Sequence, residues 1–178
     1  MFEEKTVSSQ EVFKGKLLRV RVDQVLLPDG RKSSREIVEH PGAAAVVPLD
    51  EEGYVYMVRQ YRKPLEEDLL EIPAGTREKG EDTLECVKRE LSEEVGLQAG
   101  NFIRLASLCT SPGFSNERID IFLAEELSPS EGQQDQDEFL NVEKYLFTEA
   151  ITMIEQGKIK DAKTASGLLL AAARLAKK

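Results

Sequence analysis

The sequence predicts an α/β fold, a sandwich of strands with few helices, on three observations. A continuous apolar run, AAAVVPL from Ala43 to Leu49, has the character of a strand buried on both faces. Strand-like segments separated by turn residues recur on either side of it. Helical patterning is confined to one acidic stretch in the middle and two segments at the end. With 178 residues, 40% hydrophobic and 32% charged, the chain suits one globular domain plus a small appended piece.

The elements follow in order. LLRVRVDQVLL (Leu17 to Leu27) alternates or runs apolar, Pro28-Asp29-Gly30 offers turn chemistry, and SSREIVEH continues extended to a break at Pro41-Gly42. Residues 1–41 are therefore expected to form an N-terminal antiparallel β-unit, and residues 42–178 the main domain. After the apolar run, a DEEG turn leads to the strand YVYMVRQYR (Tyr54 to Arg62). DLLEIPAG (Asp68 to Gly75) reads as a short strand ending at Pro73. Beyond the acidic stretch, FIRLASLCT and IDIFLAEEL flank the loop SPGFSNER, and the acidic loop EGQQDQDE (Glu131 to Glu138) precedes the strand-like FLNVEKYLF. TEAITMIEQGK and DAKTASGLLLAAARLAKK read as helices, the second N-capped by Asp161 and basic in its last turn.

Composition excludes several classes of function. A net charge of −9 argues against nucleic-acid binding, which needs clustered Lys and Arg, but not against a small anion screened by divalent cations. No run approaches the ~18 apolar residues that span a bilayer, and MFEEKTVSSQ has no signal-peptide pattern. Cys86 and Cys109 form no C-x-x-C motif and suit free thiols in a reducing compartment, so a cytoplasmic protein is expected. The single histidine, His40, reads as a loop residue and rules out an H-E-x-x-H zinc site. Neither a G-x-S-x-G elbow nor a G-x-x-x-x-G-K-[ST] loop is present. Hydrolytic chemistry here has to run on carboxylates.

Those carboxylates are concentrated in GTREKGEDTLECVKRELSEEVGL, Gly75 to Leu97. Asp82 with Glu85 forms a capping-box pattern that starts a helix near Thr83, and Gly96 supplies a left-handed stop. At ~100° per residue, Leu84, Val87, Leu91 and Val95 share an apolar stripe. Glu90, Glu93 and Glu94 fall in an arc beside it, with Glu90 and Glu94 one turn apart. Like charges so placed cost ~0.2–0.5 kcal/mol per pair even when exposed, and more beside a buried stripe. No lysine lies within the arc, and Arg89, at its far edge, is expected to orient at most one carboxylate. A hard divalent cation removes the conflict; on spacing alone, a metal site and a solvated face both stay open.

The surrounding frame favours the metal. Gly75, Glu81 and the run Arg89-Glu90-Leu91-Ser92-Glu93-Glu94-Val95-Gly96-Leu97 match G-x5-E-x7-R-E-U-x-E-E-x-G-U, with U aliphatic, at every fixed position. The sequence thus resembles the Nudix hydrolases, which cleave a nucleoside diphosphate linked to another group. The resemblance implies a Nudix-type α/β/α sandwich around a mixed β-sheet, with the box as a loop-helix-loop holding Mg²⁺ or Mn²⁺ against a pyrophosphate. It implies Glu90 and Glu94 as metal ligands, Glu93 as a further ligand or a holder of water, and the Ala74 carbonyl as a ligand. Gly75, Glu81, Arg89 and Gly96 are implied as structural members of the box. The metal would neutralise the phosphates and acidify water.

Residues outside the box narrow the resemblance to the ADP-ribose pyrophosphatase subfamily. Pro112 in SPGFSNE, fifteen residues after Leu97, together with EIPAG and VRQYR, carries it. It implies Mg²⁺-dependent hydrolysis of ADP-ribose to AMP and ribose 5-phosphate, in a homodimer whose exchanged N-terminal unit helps form the partner's adenosine site. Other ADP-sugars, nucleotide sugars or dinucleotides are the alternative substrates, and a non-catalytic ligand sensor is the rival from another class. Arg59 and Arg62 are candidates for the diphosphate, with Glu71 orienting an arginine. Gly113, Phe114 and Glu117 in the proline loop are candidates for the substrate, and Arg35 and Glu36 for the partner's adenine. Glu138, before Phe139, is the expected general base, with Asp137 and Glu93 as alternatives.

Overall fold

The structure is a computed structural model and describes residues 2–130 and 139–177. Two compact units are present, residues 1–42 with 109–118, and residues 43–108 with 119–178.

The first unit is built on an antiparallel meander of β1 (Lys5–Lys14), β2 (Arg19–Leu26) and β3 (Lys32–Glu39). Its β2–β3 hairpin turns at the expected Pro28-Asp29-Gly30, where Gly30 takes a φ of 85° and its N–H donates to Leu27. β1, an edge strand that the sequence did not single out, breaks register at two places, between Thr6 and Ser8 and between Glu11 and Phe13. The proline loop is stitched to β3 in this same unit. Val38 N–H donates to the Phe114 carbonyl at 2.7 Å, and Asn116 N–H donates to the Val38 carbonyl at 3.2 Å.

The second unit contains both remaining sheets. One runs β7-β4-β9-β8 and the other β10-β5-β6, from β4 (Ala43–Pro48), β5 (Tyr54–Arg62), β6 (Glu67–Glu71), β7 (Ala74–Thr76), β8 (Leu97–Cys109), β9 (Arg118–Pro129) and β10 (Leu140–Leu146). β4 pairs parallel with β9 and antiparallel with β7, so the sheet is mixed. The apolar run behaves as expected of a strand covered on both faces. Ala43, Ala45 and Val47 enter one core with Met57, Ile72, Ile121 and Leu168, while Ala44 and Val46 enter a second with Val87, Leu91 and Phe122. α1 (Thr83–Val95) covers the second face; α2 (Phe147–Glu155) and α3 (Ala162–Leu175) supply side chains to the first. This is the α/β/α sandwich the sequence predicts.

One segment departs from expectation. Asp68–Gly75 is not one strand: β6 ends at Glu71 in one sheet, and β7 begins at Ala74 in the other. Pro73 sits at the crossing, where its missing N–H costs no ladder bond and its carbonyl accepts Val46 N–H at 2.9 Å. That crossing carries the chain from the second sheet to the acidic helix.

Candidate active site

α1 begins and ends where the sequence predicts, though its cap is simpler. The Asp82 carboxylate accepts Leu84 N–H at 2.8 Å, while Glu85 turns outward to Lys88 and makes no capping box. Gly96 ends the helix at φ 70°, its N–H reaching the Leu91 and Ser92 carbonyls. Burial shows why the arc of glutamates is unusual. Glu90 and Glu94 are only 6% and 4% exposed, deeper than Leu84 and Val95 of the apolar stripe, which are half-buried. Two carboxylates one turn apart within a packed face are not a solvated surface.

Three residues organise this face. Ala74 N–H donates to Glu94 Oε2 at 2.9 Å, fastening the start of β7 to the helix. Gly75 faces Glu90 so closely that a Cβ there would overlap the carboxylate. Arg89 does more than the single carboxylate expected of it. Its Nη1 donates to Glu90 Oε1 at 2.7 Å and Glu93 Oε2 at 2.9 Å, while Nε donates to Glu81 Oε1 at 3.0 Å. The wheel placed Arg89 at the edge of the arc, but its long side chain folds back across the helix surface, where three carboxylates converge on one planar donor fork. Glu81 in turn accepts Glu78 N–H at 2.8 Å, closing the loop before α1.

The electrostatics follow. The Arg89 hydrogen bond, more than the backbone bond from Glu78, lowers the Glu81 carboxyl to about 2. Cys86, buried beneath the box loop with its Sγ 3.7 Å from the Gly75 carbonyl, is pushed up to about 12 by desolvation and by the nearby Glu81 and Glu90 charges.

In chemical type the donors suit a hard divalent cation. Glu90, Glu93 and Glu94 offer carboxylate oxygens, the Ala74 carbonyl lies at the same strand end, and Gly75 keeps the approach to Glu90 free of a side chain. Among the described residues, no three His, Cys, Asp or Glu side chains are gathered closely enough to hold an ion. Glu90 and Glu93 instead converge on Arg89.

A second charged group lies at the end of β5 and β6. Arg62 spans the nearly fully buried Glu71 with Nε and Nη2, both at 2.7 Å, and Lys163 of α3 pairs with the same carboxylate. Hydrogen bonding to Glu71 is the main cause of the raised Arg62 pKa, and the charge of Glu94 contributes, which puts Arg62 within electrostatic reach of the acidic face. Arg59 is turned elsewhere, to Glu143 of β10, with Nε 2.5 Å from Oε1.

The remaining candidates belong to the first unit. Arg35, Glu36, Gly113 and Phe114 line a cavity of about 380 Å³ with Arg21 and Asn116. Arg35 is paired there with Glu4, its Nε 2.8 Å from Oε2. Glu117 accepts Thr110 Oγ1–H at 2.6 Å and lies 3.4 Å from His40 Nδ1. Glu138 and Asp137 lie outside the described residues. Lys163, Glu143 and Glu4 were not foreseen, because each is brought in by pairing far along the chain and none stands in a motif.

Comparison with known proteins supplies the class. The NUDIX domain family matches residues 38–166, and the nucleoside diphosphate sugar hydrolase N-terminal domain matches residues 4–38. The chain therefore belongs to the Nudix family and is a pyrophosphohydrolase of it. It is 46% identical to the ADP-ribose pyrophosphatase of Bacillus subtilis (strain 168), over 92% of this chain and 89% of that one. It is 45% identical to the methanol dehydrogenase activator of Bacillus methanolicus, over 92% and 90% of the two chains. The crystal structure of an ADP compounds hydrolase shares the fold, with a TM-score of 0.88 over 98% of this chain and 95% of that one at 23% identity. Nudix hydrolases generally use divalent metals such as Mg²⁺. Among the described residues, no helix is long and apolar enough to cross a membrane.

Proposed function

We propose that this chain hydrolyses the pyrophosphate bond of ADP-ribose to AMP and ribose 5-phosphate, as a Mg²⁺-dependent homodimer in the cytoplasm. The observation that carries the proposal is the buried Glu90–Glu94 pair beneath Gly75, in a chain so like an ADP-ribose pyrophosphatase. Glu90, Glu94, Glu93 and the Ala74 carbonyl would hold the metal; Mn²⁺ suits the same donors. When bound, it would offset the charge of the two phosphates and lower the pKa of water at the site. Arg62, held by Glu71, would meet the diphosphate, with Arg59 joining only if it leaves Glu143. Glu138 would take the proton of the attacking water, with Asp137 or Glu93 as the substitute. The cavity that holds Arg35, Glu36, Gly113 and Phe114 would take the nucleoside of a substrate bound to the partner, and Glu117 would support the ribose.

The likeness to a methanol dehydrogenase activator favours a second reading, in which the chain stimulates a dehydrogenase. Phosphate-coupled turnover of ADP-ribose, ADP-glucose, GDP-mannose, NADH and a dNTP, with and without Mg²⁺, tests both beside a methanol dehydrogenase assay. Mg²⁺-dependent release favouring ADP-ribose, lost in Glu94→Gln, is expected. Binding of ADP-ribose with no turnover of any compound would replace the hydrolase with a sensor.

A further inference from the structure

The first turn of α3 grips the strand end that leads into the acidic face. Thr164 Oγ1 accepts the buried Ile72 N–H at 2.9 Å and donates to Asp161 Oδ2 at 2.5 Å. Asp161 caps the helix through Thr164 N–H at 2.9 Å and accepts Lys163 Nζ at 3.0 Å. Gly167, a turn later, lets the helix sit so low that a Cβ would stand 2.8 Å from Ile72 Cδ1 and 3.2 Å from Val47 Cγ2. Two residues beyond Ile72, Ala74 N–H holds Glu94. The span from Glu71 to Ala74 is thus fixed by α3 at one end and by α1 at the other.

Charge gives the arrangement its meaning. Glu71 is 1% exposed, and two cations, Arg62 and Lys163, meet on it. Lys163 also meets Asp161, so the two cations balance the two carboxylates Glu71 and Asp161. Without Lys163, Glu71 would cancel Arg62, and Asp161 and Glu94 would leave the surroundings anionic, a poor environment for a diphosphate. With Lys163 present, Glu71 still sets the plane of the guanidinium through two bonds, while the charges of Glu71 and Asp161 are offset and the surroundings of Arg62 are less hostile to an anion.

We propose that Lys163 is a positioning residue for the diphosphate of the substrate: it offsets the charge that Glu71 and Asp161 place beside Arg62, so that Arg62 is held by Glu71 without its surroundings turning strongly anionic. Thr164 secures the backbone on which this rests. The assignment depends on the function proposed above, in which Arg62 meets the diphosphate.

The test compares wild type, Lys163→Met, Lys163→Arg, Arg62→Gln and the Arg62→Gln/Lys163→Met double variant. Three readouts are needed: kcat and KM for ADP-ribose with Mg²⁺, metal-free affinity for inorganic pyrophosphate, and the Arg62 Nε–H NMR signal without ligand. Lys163→Met should raise KM about tenfold and change kcat by less than about threefold, with the Nε–H signal shifted. Lys163→Arg should recover most of the loss. The double variant should be no worse than Arg62→Gln, because both changes remove the same contribution. An unchanged KM with only a lower melting temperature would reduce Lys163 to a structural role, and multiplying losses would mean that it does not act through Arg62. If Lys163→Met fails to fold, Lys163→Gln, which keeps a donor for Glu71 but no charge, carries the same expectation. If wild type does not turn over ADP-ribose, the proposed function falls while pyrophosphate still tests the charge. About tenfold weaker pyrophosphate binding in Lys163→Met then upholds the role of Lys163, and equal or absent binding overturns it.

Discussion

Glu81 and Arg89 meet as two parallel forks, with Nε 3.0 Å from Oε1 and Nη2 3.3 Å from Oε2. The pair joins the loop before α1 to the middle of the helix and leaves Nη1 for Glu90 and Glu93. Its contribution has a defined pH window. The Glu81 carboxyl falls from the ordinary 4.5 to about 2 on folding, so the pair stabilises fully above about 4.5 and is lost as pH falls through about 2. Glu81→Gln should cost on the order of 1.5–3 kcal/mol near neutral pH, the range for hydrogen bonds to charged groups. Denaturant melts at pH 7 and pH 2.5 would show the difference between variant and wild type shrinking at the lower pH. An equal difference at both would mean that the lost interaction is not ionic.

Gly75 is required for space, because a Cβ would occupy the volume of the Glu90 carboxylate. Since Glu90 is buried within a helix face, the side chain has little room to retreat. Gly75→Ala should therefore swing Glu90 aside, lower turnover by about 10²-fold, and weaken Mn²⁺ binding measured by electron paramagnetic resonance. Wild-type Mn²⁺ affinity in the variant would show that Glu90 is not a ligand.

The box and its helix were legible because their signals are local. Asp82 and Gly96 mark the ends of α1, and the spacing from Gly75 to Leu97 lies within one loop-helix-loop. The depth of Glu90 and Glu94 was only half visible, since a helical wheel gives direction and not what packs there. Cys86 and the small residues Ala44 and Val46 let the helix settle closely enough to bury them. The Glu71–Lys163 and Ile72–Thr164 contacts join residues 92 apart in sequence, through a crossing at Pro73 that read as a strand end. Nothing in DLLEIPAG announces its partner in the tail helix. Arg59 and Arg62 look alike in VRQYR, yet they stand on opposite faces of β5, and one meets Glu143 and the other Glu71.

The two cysteines should differ sharply in reactivity. Cys86 is fully buried, and its thiol is held at about 12, so it carries almost no thiolate at pH 8. Cys109 is exposed. Ellman's reagent should react quickly with one thiol per native chain and with the second only on unfolding. Mass spectrometry after brief alkylation should place the label on Cys109. Label on Cys86 in the native protein would mean that the box loop opens readily.

The N-terminal strand leaves an apolar edge uncovered. All ten residues of β1 are exposed, and Val7 and Val12 fall at its two register breaks, 60% and 53% exposed. Phe13 and Leu17 are about as exposed, so the unit presents apolar side chains that its own three strands leave uncovered. A second copy of the chain would cover them, as the proposed homodimer requires. Sedimentation equilibrium at micromolar concentration should give a dimer for wild type. Replacing Val12 with Lys and Phe13 with Asp should weaken association by about 30-fold or more, the effect of losing a central apolar anchor. If the partner's unit binds the nucleoside, KM for ADP-ribose should rise as the dimer dissociates, with Mn²⁺ affinity at the box unchanged. A wild-type monomer with full activity would show that the exposed strand has another purpose and that the nucleoside is bound within one chain.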